Sequence, residues 1–296
     1  MTFLYLQISV IKFVANILTY LFLSIMAKLE APIIITFANQ KGGVGKTTLC
    51  TCFANYLISM GVHIKIYDCD RQQSIARNRK RDIKKYGDSL IPYAVEGYRN
   101  VDRDKMREII SDIYEQTDCE IILFDCPGNI TESWLIPLFA NSDIIAIPFH
   151  YDDVTIASTS EFILFVERIN SAPNINDPAR LFMIPNISDK RIGTFEELRR
   201  WEETREKYES HGTVTPKVSR KADMERISTI ADLDKQLKIV KPAFDKIYYD
   251  VFGNTRPLRK ACDFVRSKEK TVSKKSTSKS SDSIPQNSET LDENNH

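Results

Sequence analysis

The sequence predicts a doubly wound α/β fold, a mostly parallel sheet with helices packed on both of its faces. Short, nearly continuous apolar runs recur through the middle of the chain, separated by stretches of helical pattern, which is how strands buried on both faces read. A glycine-rich loop directly follows the first of these runs. The 296 residues, 42% hydrophobic and 27% charged, suffice for one α/β domain of roughly 220 to 250 residues plus extensions.

Each element follows from its local pattern. "PIIITF" (32–37) is a strand that runs into the loop, and a helix follows from Thr47 to Met60. "HIKIYDCD" (63–70) is the next strand, a basic helix covers 74–86, and "LIPYAV" (90–95) is a further strand. An amphipathic helix spans 101–116, and "EIILFDCPG" (120–128), "DIIAIPF" (143–149) and "RLFMIPN" (180–186) complete the strands. Beyond Asn186 the pattern turns helical over 194–209, 221–234 and 241–252, with no internal repeat. A fold of this class gathers its ligands at the carboxyl ends of the strands.

The ends differ in character from this body, giving an extension over 1–25, a domain over 30–255 and a tail over 256–296. "MTFLYLQISVIKFVANILTYLFLSIM" is apolar for over twenty residues but carries Gln7, Lys12 and Asn16. It is long enough to span a bilayer, yet Lys12 near its centre costs about 3 kcal/mol there. A signal peptide fits poorly, because the charge is not at the start and no A-x-A-like site follows. Three readings stand: translation beginning at Met26, a membrane anchor, or an amphipathic extension. The tail "SKEKTVSKKSTSKSSDSIPQNSETLDENNH" is basic and then acidic, and after Val272 its only large apolar residues are Ile284 and Leu291. Such a composition does not offset the entropy of ordering, so the tail reads as disordered.

Net charge is +1, so any affinity for nucleic acid must come from local patches. The six cysteines, Cys50, Cys52, Cys69, Cys119, Cys126 and Cys262, show no CxxC spacing. They read as small core residues of a reducing cytoplasm, not as a disulfide framework.

The chemistry concentrates in "FANQKGGVGKTTLC" (37–50). Consecutive glycines let a backbone curl so that several N–H groups point at phosphate oxygens, and a helix starting near Lys46 adds its positive end. Lys46 is placed to reach the β- and γ-phosphates, and Thr47 to ligate Mg²⁺ through its hydroxyl. The loop departs from G-x-x-x-x-G-K-[ST] because Gln40 stands at the first glycine position. It also carries a second lysine, Lys41, five residues before Lys46.

Lys41 to Thr48 resembles the deviant Walker A motif, KGGVGKT[TS], of the ParA/MinD family of P-loop ATPases, and the likeness extends over about Pro32 to Asp250. The resemblance implies ATP and Mg²⁺ as cofactors, with Gly42, Gly43, Val44, Gly45, Lys46, Thr47 and Thr48 contacting the nucleotide. It also implies that Lys41 reaches across a nucleotide-sandwich homodimer to the partner's phosphates, as an arginine finger does. "YDCDRQQS" (67–74) resembles switch I, usually D-x-D-P-Q; Asp70 then orients the attacking water, and Arg71 replaces the usual proline. "ILFDCPG" (122–128) resembles Walker B and switch II, with Asp125 holding Mg²⁺ directly or through water, and Gly128 standing where the family has a second proline. Asn186 matches the adenine-reading asparagine, although a strand-terminal Asn is also a common turn former. "IAIPFHYDDVTIAS" (145–158) resembles a dimer-face element.

Two basic clusters bear on output. "RQQSIARNRKRDIKK" (71–85) holds seven Lys/Arg against one Asp, and reads first as a charged, solvated helix face. "TPKVSRKADMER" (215–226) resembles a late family segment of the DNA-binding face, which makes Lys217, Arg220 and Lys221 candidates for DNA contact. Phosphate contacts of this kind give sequence-independent, salt-sensitive binding. The resemblance therefore implies a small ParA-type ATPase of weak intrinsic turnover, cytoplasmic and nucleoid-associated, which binds double-stranded DNA in its ATP state. It would partition a plasmid, chromosome or mobile element with a ParB-like activator. The alternative is a MinD-like positioning ATPase without DNA binding, with the membrane as partner if residues 1–25 are translated. A redox ATPase like the nitrogenase iron protein needs cysteines at the dimer axis, and Cys126 sits in Walker B instead.

Overall fold

A computed structural model of the chain describes residues 32–115, 118–187, 194–230 and 234–253. The 1–25 extension and the 256–296 tail lie outside the described residues. The strands are β1 (Ile33–Phe37), β2 (Ile64–Asp68), β3 (Ala94–Gly97), β4 (Ile121–Asp125), β5 (Ile144–Phe149), β6 (Arg180–Pro185) and β7 (Thr213–Val214). They form one parallel sheet in the order β3-β2-β4-β1-β5-β6-β7. The helices are α1 (Lys46–Ser59), α2 (Ser74–Tyr86), α3 (Arg103–Tyr114), α4 (Leu135–Ala140), α5 (Asp153–Asn170), α6 (Phe195–Glu209) and α7 (Asp234–Phe252), with a 3₁₀ turn at Ala222–Glu225. The doubly wound class predicted from the apolar runs is the class observed.

The two-residue period of a strand divides the core between the two faces of the sheet. Ile35 and Phe37 of β1 pack with Leu49 and Phe53 of α1 and Phe244 of α7, where Phe53 and Phe244 meet edge-on at 4.9 Å. Ile34, between them in sequence, faces the other layer with Phe124, Phe139, Phe149 and Phe162. β4 and β5 are buried along their whole length, so they lack the alternation of a half-exposed strand. Among the described residues no helix is long and apolar enough to cross a membrane.

Besides β7, which the pattern did not predict, three elements differ from the pattern reading, and one buried network accounts for two of them. Arg79 of α2, 6% exposed, donates from Nε to Thr229 Oγ1 at 2.9 Å, from Nη2 to the Thr229 carbonyl at 3.1 Å, and from Nη1 to the Tyr93 carbonyl. Asp82, one turn on, accepts from Ser228 Oγ at 3.1 Å, Thr229 N at 2.6 Å and Thr229 Oγ1 at 3.0 Å. With its carbonyl so engaged, Tyr93 precedes the ladder, and the strand expected at 90–95 runs instead over Ala94–Gly97. With both backbone groups of Thr229 taken by α2, the described part of the helix expected over 221–234, residues 221–230, holds a single 3₁₀ turn at Ala222–Glu225. The third difference is that α7 starts earlier than 241 and continues through Pro242.

Candidate nucleotide site

The sheet order builds the site. β4 lies between β2 and β1, with Asp68 and Asp125 paired in register and Asp125 paired with Phe37. The carboxyl ends of three neighbouring strands thus stand in one row, and the glycine loop after β1 folds over it. Asn39 anchors the start of the loop: buried, it donates to the Pro148 carbonyl at 2.8 Å and to Thr159 Oγ1 at 2.9 Å, and its Oδ1 accepts from Lys41 N at 3.2 Å. Gln40 donates to the Ser158 carbonyl and to Glu161, both at 2.8 Å. The residue at the missing glycine position therefore ties the loop to α5.

At Gly45 the backbone has φ 95°, and a Cβ would meet Asn186 Nδ2 at 2.2 Å. The positive φ favours glycine, and a side chain there would also have to displace the Asn186 amide. At Gly128 a Cβ would come within 3.2 Å of Gly42 Cα and 3.3 Å of Lys46 Nζ, so a side chain there would crowd the loop. α1 begins at Lys46 with no side-chain cap, which leaves its first N–H groups free for an anion.

Lys46 is 7% exposed, and its ammonium donates to the Lys41 carbonyl at 3.1 Å. Burial lowers its pKa, an effect opposed by Asp125, Cys126 and Asp70. Asp125 is fully buried, and neither carboxylate oxygen has a hydrogen-bond partner of good geometry among the described residues. Burial drives its pKa well up, the Thr47 hydroxyl and Lys46 offset this in part, and Asp68 and Asp70 add to it. Asp68, also buried, accepts from Ala76 N at 3.0 Å through Oδ2, while Oδ1 is unpartnered. Asp125, beside the Thr47 hydroxyl and in register with Asp68, offers oxygens of the kind a hard divalent cation takes, although among the described residues no group of three or more His, Cys, Asp or Glu forms a ready-made metal site. Asp70 is half-buried and accepts from Gln72 N at 2.7 Å. Lys41 is half-buried, with no ion pair among the described residues.

Beside the loop is a cavity of about 450 Å³ bordered by Gly43, Gly45, Thr48, His150, Asn186 and Met224, among others. Asn186, 7% exposed, donates to the Val44 carbonyl at 2.9 Å, so the expected base reader also braces the loop. Arg220 and Lys221 are exposed and border the same cavity. Exposed Lys217 stands apart, its ammonium 5.0 Å from the ring centre of Tyr151 and 5.2 Å from that of Trp201, two stacked rings.

Sequence reasoning missed three features. His150 directly follows β5 at the cavity, with Nε2 buried and unpartnered among the described residues and its pKa lowered by burial. Its place at a strand's carboxyl end was the available signal. Arg71, at the usual proline position, pairs with Glu132 at 2.6 Å and so links the loop after β2 to the one after β4. Glu132 carried no signal, because that contact joins residues 61 apart. Asn39 lay within the quoted loop stretch and gave no spacing cue.

The family description CobQ/CobB/MinD/ParA nucleotide binding domain matches residues 35–249, most of the chain. The chain belongs to this family. Among solved structures it is similar to a plasmid partition protein of Borrelia burgdorferi B31 solved with AMPPNP, at 18% identity and TM-score 0.54 over 74% of this chain and 100% of that one. It is similar also to MinD of Aquifex aeolicus, at 17% identity and TM-score 0.55 over 77% and 99%. A third is cobyrinic acid a,c-diamide synthase of Mycobacterium smegmatis, bound to an ATP analog and magnesium, at 14% identity and TM-score 0.57 over 77% and 98%. At these identities the likeness concerns the fold. No curated protein matches the chain significantly.

The loop conformation at position 45 is strained for any residue larger than glycine. Gly45→Ala is expected to cost about 1–3 kcal/mol of stability and to remove the rise in thermal midpoint that nucleotide produces. A normal ligand-induced rise would show that the loop yields where the geometry says it does not.

Proposed function

We propose that the chain is an ATP-dependent dimerising ATPase that binds DNA non-specifically in its ATP state. With a ParB-like activator it partitions a plasmid, chromosome or mobile element, and it is cytoplasmic and nucleoid-associated. The observation that carries the reading is Lys41: it stands at the mouth of a family phosphate loop with its ammonium unpaired among the described residues, while its own carbonyl holds Lys46. A lysine so placed is free to act in trans on a second copy.

The chain's own groups divide the work. The loop from Gly42 to Thr48, with the uncapped start of α1, holds the phosphates. Lys46 would turn from the Lys41 carbonyl to phosphate oxygens, and the Lys41 ammonium, already unpaired among the described residues, would reach the other subunit. Thr47 and Asp125, the latter directly or through water, would hold Mg²⁺, which would neutralise charge on the transferring phosphoryl group. Asp70 orients the attacking water, and Asn186 reads adenine. Arg220 and Lys221, at the rim of the cavity where a bound nucleotide would alter their surroundings, and Lys217, which stands apart from it, contribute DNA contacts.

The test is DNA binding by the Met26-start protein with ATP, with ADP, and as Lys41→Gln. The expected outcome is binding that needs both ATP and Lys41 and weakens steeply with salt. Dimerisation by ATP with no DNA binding under any nucleotide would overturn the DNA reading and bring forward a positioning ATPase.

A further inference from the structure

We infer that the exposed face of α2 is a second double-stranded-DNA surface, in which Arg77, Lys80, Arg81, Lys84 and Lys85 contact backbone phosphates. This rests on the DNA reading above and extends it to an element that the late basic segment does not include.

In the sequence, 71–85 is an undifferentiated run of charge. The structure sorts it. At about 100° per residue, positions 77, 80, 81, 84 and 85 fall within a sector of about 140°, and all five side chains are exposed. The buried residues of the helix, Ile75, Arg79 and Asp82, lie opposite. Arg79 is thereby removed from the surface, bonded to Thr229 and Tyr93. Arg71 is removed as well, paired with Glu132.

What remains is a cationic face with almost no internal neutralisation. The only acid on the helix is Asp82, 3% exposed and already accepting from Ser228 and Thr229. Arg81 leans on it at 3.7 Å and on the Ile227 carbonyl at 3.4 Å. Lys85 rests over the Tyr86 ring at 4.7 Å. For Arg77, Lys80 and Lys84 the described residues offer no ion pair. From 77 to 85 the stripe extends about 12 Å along the axis, a length over which duplex DNA presents several phosphates. A solvated face on a chain of net charge +1 has no need to place five cations of one sign together.

The helix is also fixed to the nucleotide site. Asp68 accepts from Ala76 N in its first turn, and Asp70 accepts from Gln72 N just before it. The network of Arg79 and Asp82 joins its middle to the segment that follows the 3₁₀ turn beside the cavity. The stripe is thus held on an element whose first turn is tied to Asp68 and preceded by Asp70, beside the candidate nucleotide site.

The experiment compares the full chain with Arg77→Gln/Lys80→Gln/Lys84→Gln/Lys85→Gln, and separately with Lys217→Gln/Arg220→Gln/Lys221→Gln, on a random-sequence duplex with ATP across a salt series. The α2 variant is expected to weaken binding about 10- to 100-fold and to reduce the slope of log affinity against log salt by about 3 to 4. Its thermal midpoint and unstimulated ATP turnover should match those of the unaltered chain, since these side chains support nothing internal. Lys80→Arg/Lys84→Arg/Lys85→Arg, which keeps the charge, should bind normally. Unchanged affinity and slope in the α2 variant, with loss only in the late-segment variant, would overturn the α2 surface and leave the DNA reading standing. Absence of DNA binding by the unaltered chain would remove both. Affinity of the stripe for phosphatidylserine vesicles in place of DNA would reassign it to a lipid surface.

Discussion

Replacing Asp125 with asparagine is expected to abolish turnover while making the nucleotide-free protein more stable. The carboxylate is fully buried and neither oxygen has a well-formed partner among the described residues, so as an anion it bears a desolvation cost that the Thr47 hydroxyl and Lys46 offset only in part. Burial raises its pKa well above the ordinary carboxylate range, and the neighbouring Asp68 and Asp70 act in the same direction. The sign follows directly. A carboxyl whose folded pKa is raised keeps its proton in the folded state when the unfolded chain has lost it, so stability falls as pH rises above about 4. Stability of the nucleotide-free protein should therefore decline as pH rises above about 4, and Asp125→Asn should flatten that decline. Asp68, raised for the same reason, retains a share of it. The amide removes the charge at nearly constant shape, so the gain at neutral pH is about 1–3 kcal/mol, read by denaturant melts without nucleotide. The amide also removes the anion proposed to hold Mg²⁺, and turnover should fall at least about 100-fold. A variant less stable than the original, or one that still turns over at the original rate, would show that Asp125 is a structural acid and not a cation ligand held ready.

The second large effect is on folding. Arg79→Ala is expected to cost about 3 kcal/mol or more, because it leaves the Thr229 and Tyr93 carbonyls without their donor inside the protein and opens a void over the Tyr93 ring, 4.5 Å from the guanidinium. For a domain of this size that is a fall in thermal midpoint of about 6–12 °C. Arg79→Lys should recover only part of the loss, since an ammonium cannot reproduce the planar fork that reaches two segments at once. A midpoint unchanged within about 1 °C would show that the strand after α2 and the 227–230 segment hold their places without it.

The fold class was legible because it depends on local pattern. Apolar runs such as "EIILFDCPG" announce strands buried on both faces, and the boundaries of α1, α2, α3 and α6 fall within two residues of those read from the sequence. The loop was legible for the same reason: phosphate binding by backbone N–H groups demands glycines, a lysine and a hydroxyl at fixed local spacing. β3 and the 221–234 segment were misread because Arg79 and Asp82 take over their backbone groups from across the molecule. No period in the sequence of 90–95 or 221–234 records a partner on α2. His150 and Glu132 were missed for a related reason, as each acquires its surroundings from elements distant in the chain.

The sequence alone determined that this is a doubly wound α/β protein whose nucleotide loop follows its first strand, and that Lys41 and Lys46 share that loop. These are properties of consecutive residues, set by short-range geometry. Only the tertiary structure decided that Asp68 and Asp125 stand in one register row with orphaned oxygens, that Gln40 ties the loop to α5, and which of the seven cations of 71–85 are interior and which face solvent. Those outcomes depend on which strands become neighbours and which helix face is covered, and both are fixed by packing between segments that the sequence holds far apart.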